Sequence, residues 1–241
     1  AMVQVLIDKG FAYATPLAIY FDISKFADYT KLSGQRLEEN REGAGHGVIE
    51  DSGKRNSQDF ALWFFKTGSH ATALQTWEHK FTGIEQSELQ GFPGWHIECS
   101  AMSRAELGVT IDLHMGGREH IPVHHSNEIA QSEAANGVRF VNYWLHHEML
   151  TIDGGKMSKS LGNVYTLDDI LAKGYSALDY RYYLLQAHYR SKQNFTWDAL
   201  TAAQSAYQRL KSEVAVLMSD GSGTFEVDSA AKAEFVQALE A

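Results

Sequence analysis

One stretch of the chain restricts the possible folds more than any other. Val109-Thr110-Ile111-Asp112-Leu113-His114 alternates apolar and polar side chains, the period of a strand, and Gly116-Gly117 ends it. Pro122 stands where a first helical turn begins, a position that tolerates its missing N–H. His124 to Ala135 follows as a helix, and Asn136-Gly137 stops it. Val141 to Leu145 and Met149 to Ile152 read as further strands. Strand, helix and strand in this order place the strands side by side and parallel. The predicted fold class is therefore α/β.

The flanking segments fit around this unit. Val3, Leu6 and Ile7 share one face of a helix over residues 2–9, which Gly10 stops. Phe11 to Tyr13 and Ala18 to Asp22 read as short strands around Thr15-Pro16. Residues 28–47 are polar and read as a loose helix and loop, and residues 66–91 show no clear period. Between them Asp59 opens an apolar run, Phe60 to Phe64. Trp95 to Cys99 reads as a strand running into a helix that ends near Leu107-Gly108. From residue 166 the texture is helical. Thr166 to Asp169 and Ser176 to Asp179 match capping boxes with Asp in place of Glu. A third helix runs from Thr196 to about Met218, Asp220-Gly221-Ser222-Gly223 is a linker, and a further helix spans Ala230 to Leu239.

Composition sets limits on function. Hydrophobic residues make up 44% of the chain and charged residues 21%, enough apolar matter for a core. A net charge of −9 gives no global attraction to nucleic acid or membrane, so a polyanion has to meet a local basic patch. No apolar run is as long as a membrane span, and Ala1-Met2-Val3-Gln4 lacks the features of a signal peptide. The single cysteine, Cys99, excludes an internal disulfide and suits the reducing cytoplasm.

Two groups of residues carry chemistry. The first is Lys156-Met157-Ser158-Lys159-Ser160, flanked by Asp153-Gly154-Gly155 and Gly162-Asn163. The glycines permit a backbone that swings. The lysines offer point charges on flexible stems, suited to stabilising charge on a departing pyrophosphate. Ser158 and Ser160 add donors. A solvated basic turn is the plainer reading of the same residues. The second group is Cys99, His124 and Glu128. His124 and Glu128 are four apart, on one face of a helix, and one Cys, one His and one Glu are reasonable zinc ligands. A lone cysteine is also commonly a small buried hydrophobe, and a His–Glu pair a surface contact.

Taken together, ordered motifs along the chain resemble the cysteinyl-tRNA synthetases of class I. They are Lys54-Arg55-Asn56 with Asp59-Phe60-Ala61-Leu62-Trp63, then Phe92 to Met102, then Pro122 to Gln131, then Tyr143-Trp144, then the lysine loop. Gly174 to Arg190 fits the helical region that follows. The resemblance implies a Rossmann-like nucleotide-binding sheet, of which this chain is the second half with an inserted segment. It implies activation of cysteine by ATP, with magnesium, and transfer to tRNA(Cys). Cys99, His124 and Glu128 become ligands of a zinc ion that binds the substrate thiolate, and Trp95 a wall of the amino-acid pocket. Lys156 and Lys159 become catalytic, and Lys156 to Ser160 the ATP-phosphate loop. Gly116 and Gly117 become the turn that approaches the adenosine. Zinc prefers sulfur to oxygen, so cysteine and serine, which packing separates poorly, are told apart by a bond.

The implied divisions are 1–91, a connective insertion; 92–165, the second half of the catalytic domain; and 166–241, a helical stem-contact region and the start of a helical bundle. The resemblance also implies a monomeric cytoplasmic parent. The chain departs from the family's pattern in several places. It has Met115 and Glu119 where the family shows a third glycine and an aspartate, no His-Xaa-Gly-His tetrapeptide, and no second cysteine as fourth zinc ligand. The expectation is an internal piece of a longer enzyme, inactive alone. The alternatives are the cysteine ligase of mycothiol synthesis, with an amino-sugar acceptor; a zinc hydrolase using His124, His125 and Glu128; and a non-catalytic zinc-binding module.

Overall fold

The structure is a computed structural model and describes residues 1–35, 51–86, 88–219 and 228–240. It is mixed α/β and divides into two units, Ala1–Met149 and Leu150–Ala241. Most of the loop expected over residues 28–47, and the linker at residues 220–223, lie outside the described residues.

The first unit opens with α1 (Met2–Asp8), β1 (Ala12–Ala14) and β2 (Ala18–Phe21). β3 (Phe60–Phe65), β4 (Trp77–Glu78) and β5 (Gln90–Pro93) follow. These strands form one antiparallel sheet, ordered β1-β2-β3-β5-β4. The expected hairpin around Thr15-Pro16 is present as β1 and β2, and Thr15 Oγ1 closes its turn by accepting from Ala18 N at 3.2 Å. The unassigned residues 66–91 supply two of the five strands.

Next come α2 (Trp95–Leu107), β6 (Ile111–Gly117), α3 (Ser126–Asn136) and β7 (Val141–His147). β6 and β7 pair in parallel, Ile111 opposite Val141 and Gly117 opposite His147. The strand–helix–strand expectation is met. Gly116 and Gly117 are the last residues of the strand and not its stop. Residues Ile121–His125 form a π turn ahead of α3, so the α-helix begins two residues later than the spacing suggested. Gly137, at φ 73°, ends α3 in a left-handed conformation that a side chain would strain. Lys9 Nζ donates to the carbonyls of Ala134 at 3.2 Å and Ala135 at 2.7 Å, placing a cation on the negative end of the α3 dipole. The apolar face of α1, Val3, Leu6 and Ile7, packs into one core with Phe21, Leu62, Phe65, Ile97 and Ala130.

The second unit contains β8 (Leu150–Ile152), β9 (Gly155–Lys156), α4 (Leu167–Ala172) and α5 (Ala177–Leu185). β10 (Gln193–Phe195), α6 (Trp197–Ser219) and α7 (Ser229–Glu240) complete it. β10 runs parallel to β8, and β8 antiparallel to β9. Both expected capping boxes form, at Thr166 with Asp169 and at Ser176 with Asp179. They satisfy backbone N–H groups that a helix start otherwise leaves unpaired. Ile152, Ile170, Tyr183, Phe195 and Leu200 make the core.

Candidate functional site

Trp95 to Cys99 is the opening of helix α2, not a strand, so Cys99 sits one turn inside a helix. The cause is Gly94, the N-cap residue. A Cβ there would lie 2.1 Å from the carbonyl oxygen of Ala61 in β3, so only glycine lets the chain turn this close to the sheet. Trp95, His96 and Cys99 then face the π turn. That turn buries both His124 and His125, which are 7% and 2% exposed. Widened turns of this kind recur at functional sites, because they redirect neighbouring side chains together.

Cys99, His124 and Glu128 converge, with one ligand atom from each within 4.8 Å of the others. His114, His125 and Glu128 form a second such group. Glu128 belongs to both and is fully buried. Its Oε2 lies 2.9 Å from His114 Nε2. Its Oε1 lies 2.9 Å from His124 Nε2 but outside hydrogen-bonding geometry, and stays without a donor. A buried carboxylate oxygen with no proton to accept, beside a thiol and an imidazole nitrogen, is a donor set that fits a zinc ion.

The electrostatics favour a cation at this place. Burial works to raise the Glu128 carboxyl, yet His114 and His124 outweigh it and hold it down to about 2. Burial works to lower His124, yet Cys99 and Glu128 outweigh it and raise it to about 9. At His96 and His125 burial, joined by neighbouring histidines, outweighs the pull of Glu128. Burial lowers both to about 3, so they stay neutral.

Trp95 stacks on His124 with ring centres 4.4 Å apart and is 48% exposed, as a pocket wall would be. His96 Nδ1 lies 2.8 Å from His124 Nδ1, and His125 Nδ1 lies 2.7 Å from His146 Nε2. Behind them Trp144 stacks on His114 at 4.8 Å. Sequence analysis gave His114 and His120 no role and did not anticipate this imidazole network. A signal existed. Seven of the chain's 11 histidines, His96, His114, His120, His124, His125, His146 and His147, fall in a single stretch. Gly116 packs against this network, and Gly117 beside Glu119. A Cβ on Gly116 would meet the His125 ring at 2.5 Å, and one on Gly117 would meet the Glu119 carboxylate at 2.2 Å.

The lysine loop belongs to the second unit. Lys156, Lys159 and Ser160 are exposed, Ser158 is half-buried, and Met157 packs against the core of that unit. Ser158 Oγ and Ser160 Oγ are hydrogen-bonded at 2.8 Å.

Known proteins similar to the chain point to one family. Residues 1–205 match the family described as tRNA synthetases class I (C) catalytic domain. The cysteine–tRNA ligase of Treponema denticola is 47% identical over 207 residues, covering 86% of this chain and 40% of its own length. That of Cyanothece sp. is 44% identical, covering 87% and 41%. That of Chlorobaculum tepidum is 42% identical, covering 95% and 45%. The chain thus spans less than half the length of these curated relatives. Among solved structures, the agnB2 LeuRS of Agrobacterium radiobacter K84, in complex with tRNA and LeuAMS, covers 63% of this chain and 21% of its own. Its TM-score is 0.40 at 18% identity, too slight a likeness to carry weight. With 205 of its residues matched, this chain belongs to the class I (C) tRNA synthetase catalytic-domain family.

Proposed function

We propose that this chain is the cysteine-recognising and phosphate-steadying part of a cysteine–tRNA ligase. The convergence of Cys99, His124 and Glu128 carries the reading. These three would hold a zinc ion, which would supply a sulfur-seeking Lewis acid for the thiolate of the substrate. Trp95 walls the amino-acid pocket. His96 Nδ1, 2.8 Å from His124 Nδ1, orients the His124 ring so that its Nε2 faces the metal position.

In the reaction proposed, the cysteine carboxylate attacks the α-phosphorus of magnesium-bound ATP. The bond to the bridging oxygen breaks, and pyrophosphate leaves with the electron pair. Lys156 and Lys159, with Ser158 and Ser160, stabilise the charge on that leaving group, while Gly116 and Gly117 lie on the adenosine side. Transfer to tRNA(Cys) follows, with residues 166–241 as the stem-contact and helical region. Residues 92–165 are the second half of a Rossmann-like nucleotide-binding domain, and residues 1–91 the connective insertion.

The test is cobalt substitution. Cobalt(II) bound to the chain is expected to show a sulfur-to-metal absorption band that disappears in Cys99→Ala. Free cysteine is expected to strengthen the band, and serine to leave it unchanged. Equal responses to cysteine and serine would remove the thiol-recognition role. A band that survives Cys99→Ala would remove Cys99 from the site.

A further inference from the structure

The lysine loop carries a polar bridge that the proposed chemistry does not use. β8 and β9 meet at Asp153-Gly154, whose φ values of 47° and 79° make the two-residue turn of a tight hairpin. Asn194 on β10 holds that turn, its Oδ1 accepting from Gly154 N at 2.6 Å and from Thr151 Oγ1 at 3.0 Å. Past Met157 the chain makes a short 3-10 turn, Lys159–Leu161, and Gly162 at φ 65° sends it back. The return brings Asn163 against the loop. Its Nδ2 donates to the Lys156 carbonyl at 3.0 Å, and its Oδ1 accepts from Ser158 N at 2.8 Å.

We propose that Asn163 is the positioning residue of the lysine loop. Its side-chain amide joins the Lys156 carbonyl to the Ser158 N–H and fixes the backbone from which both lysines reach a polyphosphate. The proposal rests on the reading of Lys156 and Lys159 as partners of phosphate. A lysine is a point charge on a flexible stem, so its direction is set by the backbone that carries it. Charge stabilisation is strongest when the donors are fixed before the charge develops. Glycines at residues 154, 155 and 162 loosen this loop, and the amide bridge restrains it where β9 ends. Both faces of the amide are used, one as donor and one as acceptor. Aspartate at this position keeps the acceptor and loses the donor, and alanine loses both.

The test uses the 241-residue chain, isotope-labelled, with amide hydrogen exchange at Ser158 and titration with magnesium pyrophosphate. In Asn163→Ala, Ser158 is expected to exchange about tenfold faster, as follows from the loss of one hydrogen bond. The paired amides of β8 and β9 keep their rates. Pyrophosphate is expected to bind about fivefold or more weakly, at the same order as the lost bond. Asn163→Asp keeps Ser158 slow but does not restore pyrophosphate binding. Unchanged Ser158 exchange in Asn163→Ala overturns the proposal. So does undiminished pyrophosphate binding in Asn163→Ala when Lys159→Ala weakens it. Loss of the β8–β9 pairing in both variants also overturns it, since Asn163 would then be a folding residue. Unchanged binding in Lys159→Ala overturns instead the phosphate reading of the loop, while the Ser158 rate still decides the bridge.

Discussion

Replacing Asp59 by alanine is expected to destabilise the first unit by about 4 kcal/mol, and the structure supplies the terms. The carboxylate is 2% exposed. It accepts from Tyr13 Oη at 2.6 Å, from Ile23 N at 3.0 Å and from Asn56 N at 3.0 Å. Tyr13 Oη in turn accepts from Arg55 N at 2.8 Å, and the Arg55 guanidinium lies 4.1 Å over the Tyr13 ring. One carboxylate thus ties β1, the start of β3 and the turn after β2 together. In Asp59→Ala the Ile23 N–H and the Tyr13 hydroxyl lose their acceptor in a buried place, at roughly 1–3 kcal/mol each. Asn56 is exposed, and water replaces its partner. Asp59→Asn keeps one acceptor but turns an N–H₂ toward donors, and is expected to cost about half as much. For a unit of this size the alanine variant should melt roughly 8–16 °C lower. Urea unfolding followed by circular dichroism measures the loss, and exchange of the Ile23 amide assigns it to this unit. An Asp59→Ala variant within about 1 kcal/mol of the parent would refute the reasoning, because two buried donors would then have found partners at no cost.

Gly94→Ala is expected to push α2 off β3, costing about 2–3 kcal/mol as an overpacked contact, and to weaken zinc binding with it. Calorimetry with metal analysis checks both, and unchanged zinc content would detach the metal centre from the position of α2. Asp179 and Asp169 are expected to make the second unit acid-sensitive. Burial works to raise Asp179, but the N–H and hydroxyl of Ser176 and the amide of Gln204 hold it lower, and Thr166 lowers Asp169. A depressed carboxyl lends stability that is present above its unfolded value and lost as pH falls through the folded one. The melting point should therefore drop below about pH 4, and Ser176→Ala should flatten that slope. A slope unaltered by Ser176→Ala counts against the cap. Because the sequence holds no His-Xaa-Gly-His tetrapeptide, the purified chain is expected to give no cysteine-dependent ATP–pyrophosphate exchange. Robust exchange would mean that the phosphate site is complete within these residues.

Local rules carried the sequence reading where structure is local. The alternation from residue 109, the stop at Gly137 and the two capping boxes each depend on neighbours a few residues away, and each appears in the structure. Trp95 to Cys99 misled because Trp and Ile favour strands, while the deciding contact, Gly94 against Ala61, is distant in sequence. β4 has only two residues, both exposed, too short for a period to register. The site divides in the same way. The four-residue spacing of His124 and Glu128 was visible, and Cys99 joined them as a candidate by its chemistry, but the choice of zinc over a buried hydrophobe came through resemblance to a family. The pairing of Glu128 with His114, and of His96 with His124, requires β6, α2 and α3 to be packed first.

The stacking of Trp95 on His124 has a consequence for how the site can be watched. A metal ion bound by His124 would lie beside the indole of Trp95, whose ring centre is 4.4 Å from that of His124, and is expected to change its emission. The centre carries its own optical probe, unlabelled and half open to solvent. Trp95→Phe supplies the blank that separates its signal from those of Trp63, Trp77, Trp144 and Trp197.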